Sequence, residues 1–419
     1  MEHKPGRALR GIAVAGILFL SLLPCTSAEL TVSITGDTND GHCNPPIFPC
    51  SLRDAIMWAN TNSGPDTINV PAGRFQLTIG GVMEDGSLSG DLDILDSVTI
   101  VGRGPGITII DGNGIDRVLH VVTDSTVTIR GVTITGGNLG DWDGGGAGIF
   151  AYDGTITIDG CDVVDNHITA GPVYGAGVDA WSGTVRFLDS RVRLNSSSYK
   201  VGAIAVSYGT HLELLRSTIS GNHAADHGGV SFNNATGLIR DSTISGNTSD
   251  TGSGAIRAHS STVTLEYSTI SGNDEPALVS TDGALITLAR TIVDGSCSGS
   301  VDLFATLGGN VESPGDTCDL DVLGDLLNVP DAGLEALSLN GGPTETHRPL
   351  PSSVVVDYLF PFGVPDCSRP DQRGVARPLD AGGGGTPLCD TGSVELIFGE
   401  LFRDDFDSGG TDAWASIVS

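Results

Sequence analysis

The hexapeptide Ser-Thr-Ile-Ser-Gly-Asn occurs three times, starting at Ser217, Ser242 and Ser268. Weaker copies start at Val132, Cys161, Ser190 and Arg290, so the chain repeats at intervals of 22 to 29 residues. Self-similarity at that period marks a solenoid, whose units bury their apolar faces on one another. Each unit holds three short alternating segments, as in Gly175–Trp181, Thr184–Asp189 and Ser190–Asn195. Alternation with period two is strand patterning, and polar corners separate the segments. The pattern predicts an all-β chain folded as a right-handed parallel β-helix with three-strand coils. A leucine-rich repeat is disfavoured because no LxxLxL pattern recurs, and a propeller because each blade needs a fourth strand.

Coils stacked about 4.8 Å apart turn equivalent residues into columns. The first strand points Ile149, Val178, Ile204, Val230 and Ile256 inward. The third strand points Ile134, Val163, Val192, Ile219, Ile244, Ile270 and Ile292 inward. Cys161 falls in a stack of small residues with Ser190, Ser217, Ser242 and Ser268, which makes it a buried, inert thiol. Asn166, Asn195, Asn222, Asn247 and Asn273 form an amide ladder at the next corner. Asp189, Arg216 and Asp241, with Arg130 over Asp159 and Arg240 over Glu266, read as a solvated charge ladder.

One segment breaks the strand grammar. Pro49–Asn60 reads as a helix, with Ser51 as N-cap and Asp54 three residues on in a capping-box-like arrangement. Leu52, Ala55, Ile56 and Ala59 share one face. An open solenoid end exposes core side chains and strand edges, so this helix is expected to close it. The stretch Asp37–Gly73, and "CSLRDAI" within it, resembles the CSLREA domain of secreted bacterial proteins, with Asp54 where that family usually has Glu. "DQRGVARP" (Asp371–Pro378) and "CDTGSVE" (Cys389–Glu395) resemble the choice-of-anchor Q domain. The resemblance implies a secreted or surface-displayed protein of pectin-lyase-like fold, without assigned catalytic residues. The expected organisation is a signal peptide at 1–28, a cap at 29–80, repeats at 81–310, a choice-of-anchor-Q-like region at 311–395 and a tail at 396–419.

The signal peptide rests on Lys4, Arg7 and Arg10, the apolar run Gly11–Leu23 and the small residues before Glu29. Secretion permits disulfides, and six cysteines fall in close pairs: Cys43–Cys50, Cys297–Cys318 and Cys367–Cys389. The net charge is −30, which disfavours nucleic acid and anionic membrane surfaces as partners. No later run is long and apolar enough for membrane insertion. A monomer with an extracellular polysaccharide or cell-surface glycan as partner is expected.

Enzyme templates stay unfilled. A Ca²⁺-dependent polysaccharide lyase needs grouped carboxylates and a free Arg or Lys. Lys200 is the only lysine beyond residue 28, and Asp179 and Arg257 fall three coils apart. No GxSxG elbow occurs. A glycan-binding strip fits better, because aromatic faces stack on sugars and polar groups orient hydroxyls. The first strand's outward positions are Phe150, Asp179, Ala205, Ser231 and Arg257; two residues on stand Tyr152, Trp181, Ser207, Asn233 and His259. The candidate ligand-binding residues are therefore Phe150, Tyr152, Asp179, Trp181, Asn233, Arg257 and His259, with packing beneath Asn138–Gly146 as the competing explanation. No catalytic residue and no cofactor is assigned, although Asp37–Gly41 and Gly90–Asp96 could coordinate Ca²⁺. The other functions open to such a chain are a polysaccharide lyase or related carbohydrate-active enzyme, and a structural spacer.

Overall fold

The structure, a computed structural model, describes residues 27–397 except 44–46, 83, 123–124, 141–143, 300–303, 323, 359–367 and 380–387. The expected signal peptide and tail therefore fall almost wholly outside the described residues, and so does Cys367 with its expected bridge to Cys389. Among the described residues no helix is long and apolar enough to cross a membrane.

The repeats form parallel coils. One coil runs through Ile149–Tyr152, Thr155–Asp159, Asp162–Val164 and His167–Ile168. Stacking these segments gives sheets of 9, 11, 10 and 5 strands, called here the front, second, third and fourth sheets. The fourth was not legible as a strand, because two residues cannot display a period of two. Every coil-to-coil pairing in the four sheets is parallel and in register, as in Ile149↔Val178↔Ile204↔Val230↔Ile256 on the front sheet. These side chains are fully buried.

The third-sheet column is also as expected from Ile134 to Ile270. It then departs by one residue. Val293, not Ile292, pairs with Ile270, and Ile292 pairs with Thr269. The last interval holds only 22 residues, and Thr291 rather than Arg290 occupies the buried small-residue stack. Ile292 points outward yet stays buried, packed with Val311, Val329 and Val355 beneath the C-terminal region.

Two polar ladders fix the register. Asn166, Asn195, Asn222 and Asn247 each donate Nδ2–H to the Oδ1 of the next asparagine at 2.9 Å. The same Oδ1 atoms accept the preceding backbone N–H groups at 3.0–3.1 Å. The serine stack works alike: the N–H of Cys161, Ser190 and Ser217 each donates to the next serine hydroxyl at 3.1–3.2 Å. Corners before the asparagines turn through single left-handed residues, Gly221 (φ 62°) and Gly246 (φ 63°) among them, a conformation costly for side-chain-bearing residues.

The C-terminal region explains why three repeats are identical. Thr218, Thr243 and Thr269 point outward from the third sheet but are buried. Thr243 donates to Gln372 Oε1 at 2.7 Å, Gln372 Nε2 donates to Thr218 Oγ1 at 2.9 Å, and Ser393 N–H donates to Thr269 Oγ1 at 3.0 Å. The "DQRG" and "TGSVE" segments are thus docked on the threonines of the STISGN copies. Asp371 accepts the N–H of Arg373, Val375 and Glu395 at 2.8–3.0 Å, which ties the two segments together. This docking also corrects the solvated charge ladder. Arg216–Asp189 (2.7 Å) and Arg130–Asp159 (3.0 Å) are partly exposed, but Asp241 is buried and held by Arg377 of the C-terminal region at 2.9 Å.

The helix Leu52–Thr61 caps the other end. Ser51 Oγ accepts from the Asp54 N–H at 3.0 Å, and Leu52, Ala55, Ile56 and Ala59 join the main core. Cys43–Cys50 and Cys297–Cys318 are bridged as expected. Arg53 is the largest fully buried side chain. Its Nε donates to Asp37 Oδ1 at 2.7 Å; its Nη atoms donate to the carbonyls of Gly90 (2.8 Å), Asp91 (3.0 Å) and Ser87 (3.2 Å). Asp37 is thereby consumed by the cap, which corrects its candidacy as a Ca²⁺ ligand. Replacing Arg53 with Met would strand Asp37 as a buried, unpaired charge, costing about 3–5 kcal/mol. Arg53→Met should lower the denaturant midpoint of the N-terminal coils accordingly; an unchanged midpoint would contradict this role.

Candidate functional surface

The outward face of the front sheet carries one continuous column, Asp93↔His120↔Phe150↔Asp179↔Ala205↔Ser231↔Arg257. Beside it runs Tyr152↔Trp181↔Ser207↔Asn233↔His259. The register places all seven expected binding residues on this face, but in two groups and not all accessible.

The first group is aromatic. Trp181 meets Phe150 edge-on with centroids 5.3 Å apart, Tyr208 at 5.4 Å and Tyr152 at 6.5 Å. Phe150 stacks in turn on His120 at 5.1 Å and is itself buried. Trp181 and Phe150 line a cleft of about 260 Å³ with Asp91, Arg117 and His120. Arg117 Nε lies 2.5 Å from Asp91 Oδ2, with both side chains about 5% exposed. Burial pushes the Asp91 carboxyl up to about 8 against the opposing charge of Arg117, with Asp93 and Asp116 adding to the rise.

Asp85, Asp93 and His120 offer ligand atoms within 4.8 Å of one another. Asp93 belongs to the Gly90–Asp96 stretch singled out for Ca²⁺. An imidazole in the set suits a borderline transition metal better than Ca²⁺, which prefers oxygen alone.

Asp179 is the exception within the strip. It points outward from the sheet as expected, but it is 0% exposed and presents nothing to a surface ligand. The Gly144–Gly146 backbone covers it so closely that a Cβ on Gly145 would sit 2.0 Å from Asp179 Oδ2. Neither carboxylate oxygen has a hydrogen bond of good geometry. Burial drives its pKa well above the usual carboxylate range, opposed by Trp181, the Ala180 amide and Arg117. The expectation that this position is a ligand contact is corrected by the loop above it.

The second group lines a cleft of about 160 Å³, where Asn233, Arg257 and His259 meet Lys200, Asp226 and His227. Lys200 Nζ lies 2.7 Å from Asp226 Oδ2, and His259 Nδ1 lies 2.7 Å from Asp282 Oδ2. Burial pushes His227 down to about 4, the nearby Arg257 and Lys200 charges assisting and Asp226 opposing. Asp179 and Arg257 stand three coils apart, as the alignment placed them, so they share no reaction centre.

Sequence reasoning did not place Arg117, His120, Lys200, Asp226, His227 or Tyr208 at the site, and it reached Asp91 only through the Gly90–Asp96 stretch. His120 and Asp93 were within reach, because the front column extends two strands toward the N-terminus in the same register. Lys200, Asp226 and His227 lie between the fourth and front strands, where segment length varies and periodicity assigns no place.

With this geometry established, a sequence model for the right-handed β-helix region matches residues 113–312. The chain folds as a parallel β-helix. No curated protein matches the chain. The matched region spans the coils that carry Phe150, Trp181 and Arg257, so both groups of this β-helix lie on its regular part.

The buried Asp179 yields a signed prediction. A carboxyl whose folded pKa lies above its unfolded value near 3.8 contributes most below that value and loses the contribution as pH rises. Asp179→Asn should therefore be more stable than wild type at pH 7, the gap closing toward pH 3 in thermal melts. A variant less stable at pH 7 would contradict a neutral, unpartnered acid.

Proposed function

We propose that the front face of this β-helix is a non-catalytic surface that binds an extended glycan, and that the protein is secreted or surface-displayed. The observation that carries the reading is the concentration of aromatic rings. Of the six tyrosines in the chain, Tyr152 and Tyr208 flank Trp181, and Tyr174, in contact with Tyr199, lines the second cleft. Tyr152 and Tyr208 are exposed. Sugar rings pack their C–H faces on such side chains while amides and charged groups orient hydroxyls. A straight row of coils suits a linear polymer. The resemblance of Asp37–Gly73 to the CSLREA domain, and of the C-terminal segments to choice-of-anchor Q, supports an extracellular setting.

A carbohydrate-active enzyme is the second reading. It is favoured by the Asp91 carboxyl at about 8 at the edge of the cleft that Trp181 lines, because an acid protonated near neutrality could donate to a leaving group.

Incubating the mature protein with a panel of polysaccharides, with and without Ca²⁺, separates these. The binding reading predicts retention without product. Trp181→Ala should weaken retention at least tenfold, the loss of about 2 kcal/mol typical of a central aromatic contact, with an unchanged melting temperature. Release of shortened or unsaturated products would establish the enzyme, and no retention on any glycan would leave a spacer.

A further inference from the structure

We propose that the cleft around Arg257 takes the carboxylate or sulfate of an isolated acidic sugar in an otherwise neutral glycan, whose neighbouring residues stack on Trp181. This rests on the glycan-binding reading and adds the charge pattern of the ligand.

The first observation is that Arg257 makes no ion pair or hydrogen bond among the described residues, although it lines a cleft. Apart from Arg103, exposed at a corner, the neighbouring arginines of the coils are committed. Arg117 is held by Asp91, Arg186 by Glu213, Arg191 and Arg193 by Asp162, and Arg216 by Asp189. An uncommitted arginine is notable in a chain with 51 acidic and 21 basic side chains.

The second observation is the charge count inside the cleft. Asp226 is the cleft's one carboxylate, and Lys200 at 2.7 Å neutralises it. His227 is a neutral imidazole at physiological pH, and His259 Nδ1 lies 2.7 Å from Asp282 Oδ2 at the cleft's edge. Arg257 has no ion-pair partner of its own among the described residues, and its field reaches both Asp226 and His227. The sheet beneath it offers the small residues Ala205 and Ser231, which leave room for one charged substituent. A guanidinium presents a planar fork that matches carboxylate and sulfate oxygens, and it is the side chain best suited to that task. Asn233 alongside supplies amide donors and an acceptor for ring hydroxyls.

The third observation limits how many charges the ligand carries. The chain has a net charge of −30, which repels dense polyanions at long range. Among the described residues that line the two clefts, Arg257 is the one arginine without an ion-pair partner. Trp181 and His259 stand in one column three coils apart, about 14 Å at ordinary strand spacing. One short oligosaccharide segment can therefore place a neutral ring on Trp181 and an acidic ring at Arg257.

The test uses the mature protein and four kinds of immobilised probe. These are linear heteroglycans with sparse uronate (gellan among them), the same polymers after carboxyl reduction, lightly sulfated dextran with its unsulfated parent, and polygalacturonate. Wild type should bind a sparse acidic polymer about tenfold or more tightly than its neutral form, the gain expected for one charge-assisted contact. Arg257→Gln should abolish the difference between acidic and neutral forms without lowering the melting temperature; Arg257→Lys should restore part of the difference. The uronate and sulfate arms identify which anion is taken, and polygalacturonate should bind more weakly than the sparse polymers at low salt. Equal binding of acidic and neutral forms, an unaffected Arg257→Gln, or a preference for polygalacturonate would overturn the proposal while leaving glycan binding intact. Failure to bind any probe would overturn the glycan-binding reading with it.

Discussion

Everything in this molecule depends on coils that stack without slipping, and the buried asparagine ladder is what forbids the slip. From Asn195 onward each Asn Oδ1 receives two donors, the side chain and the backbone N–H of the preceding asparagine, and each amide Nδ2–H also reaches a carbonyl of the coil before. Sliding one coil by a residue would leave these groups unpaired in a water-free interior, at about 1–3 kcal/mol each. The apolar columns alone tolerate Ile, Val or Leu at many positions, so they supply most of the burial but less of the register. The ladder converts an approximate repeat into columns that hold for many coils.

Register also creates the surface. Phe150, Trp181 and Arg257 are far apart in sequence, and nothing but in-register pairing aligns them on one face. The caps contribute more than closure. Arg53 holds the carbonyls of Ser87, Gly90 and Asp91, the segment whose Asp91 and Asp93 stand at the aromatic end of the front face. The N-terminal signature is therefore a foundation of the candidate site as well as a lid on the core. The C-terminal segments cover the third sheet through Thr218, Thr243 and Thr269, while the front sheet keeps Tyr152 exposed and Trp181 half-buried.

Much of the fold was legible because period-two alternation and a fixed repeat are local signals. The helix, its cap, the core columns as far as Ile270 and the asparagine ladder followed from spacing; the serines were legible as a stack of small residues, not as a hydrogen-bonded ladder. The misplacement of Ile292 arose because "RTIVDG" at Arg290 matches "STISGN" one residue out of the structural register, in which Ile292 pairs with Thr269 and Val293 with Ile270. Which outward residues are exposed was not legible. Asp179 and Trp181 stand in adjacent columns of one strand, yet a glycine-rich segment buries the first and leaves the second at a cleft. The partners of Arg53, Asp241 and Lys200 were equally hidden, because they come from segments distant in sequence and outside the repeat. An alternating pattern tells which way a side chain leaves the sheet, not what lies on top of it.

The central claim is that one face of a register-locked β-helix does the recognition. Hydroxyl-radical footprinting of the mature protein, with and without a saturating glycan retained in the binding panel, reads it directly. Tyr152 and Tyr208, 48% and 64% exposed on the front face, should lose reactivity, while Leu194 and Leu339, 52% and 59% exposed elsewhere, should keep theirs. Protection of Leu194 or Leu339 with Tyr152 and Tyr208 unchanged would place the ligand on another face and contradict the account.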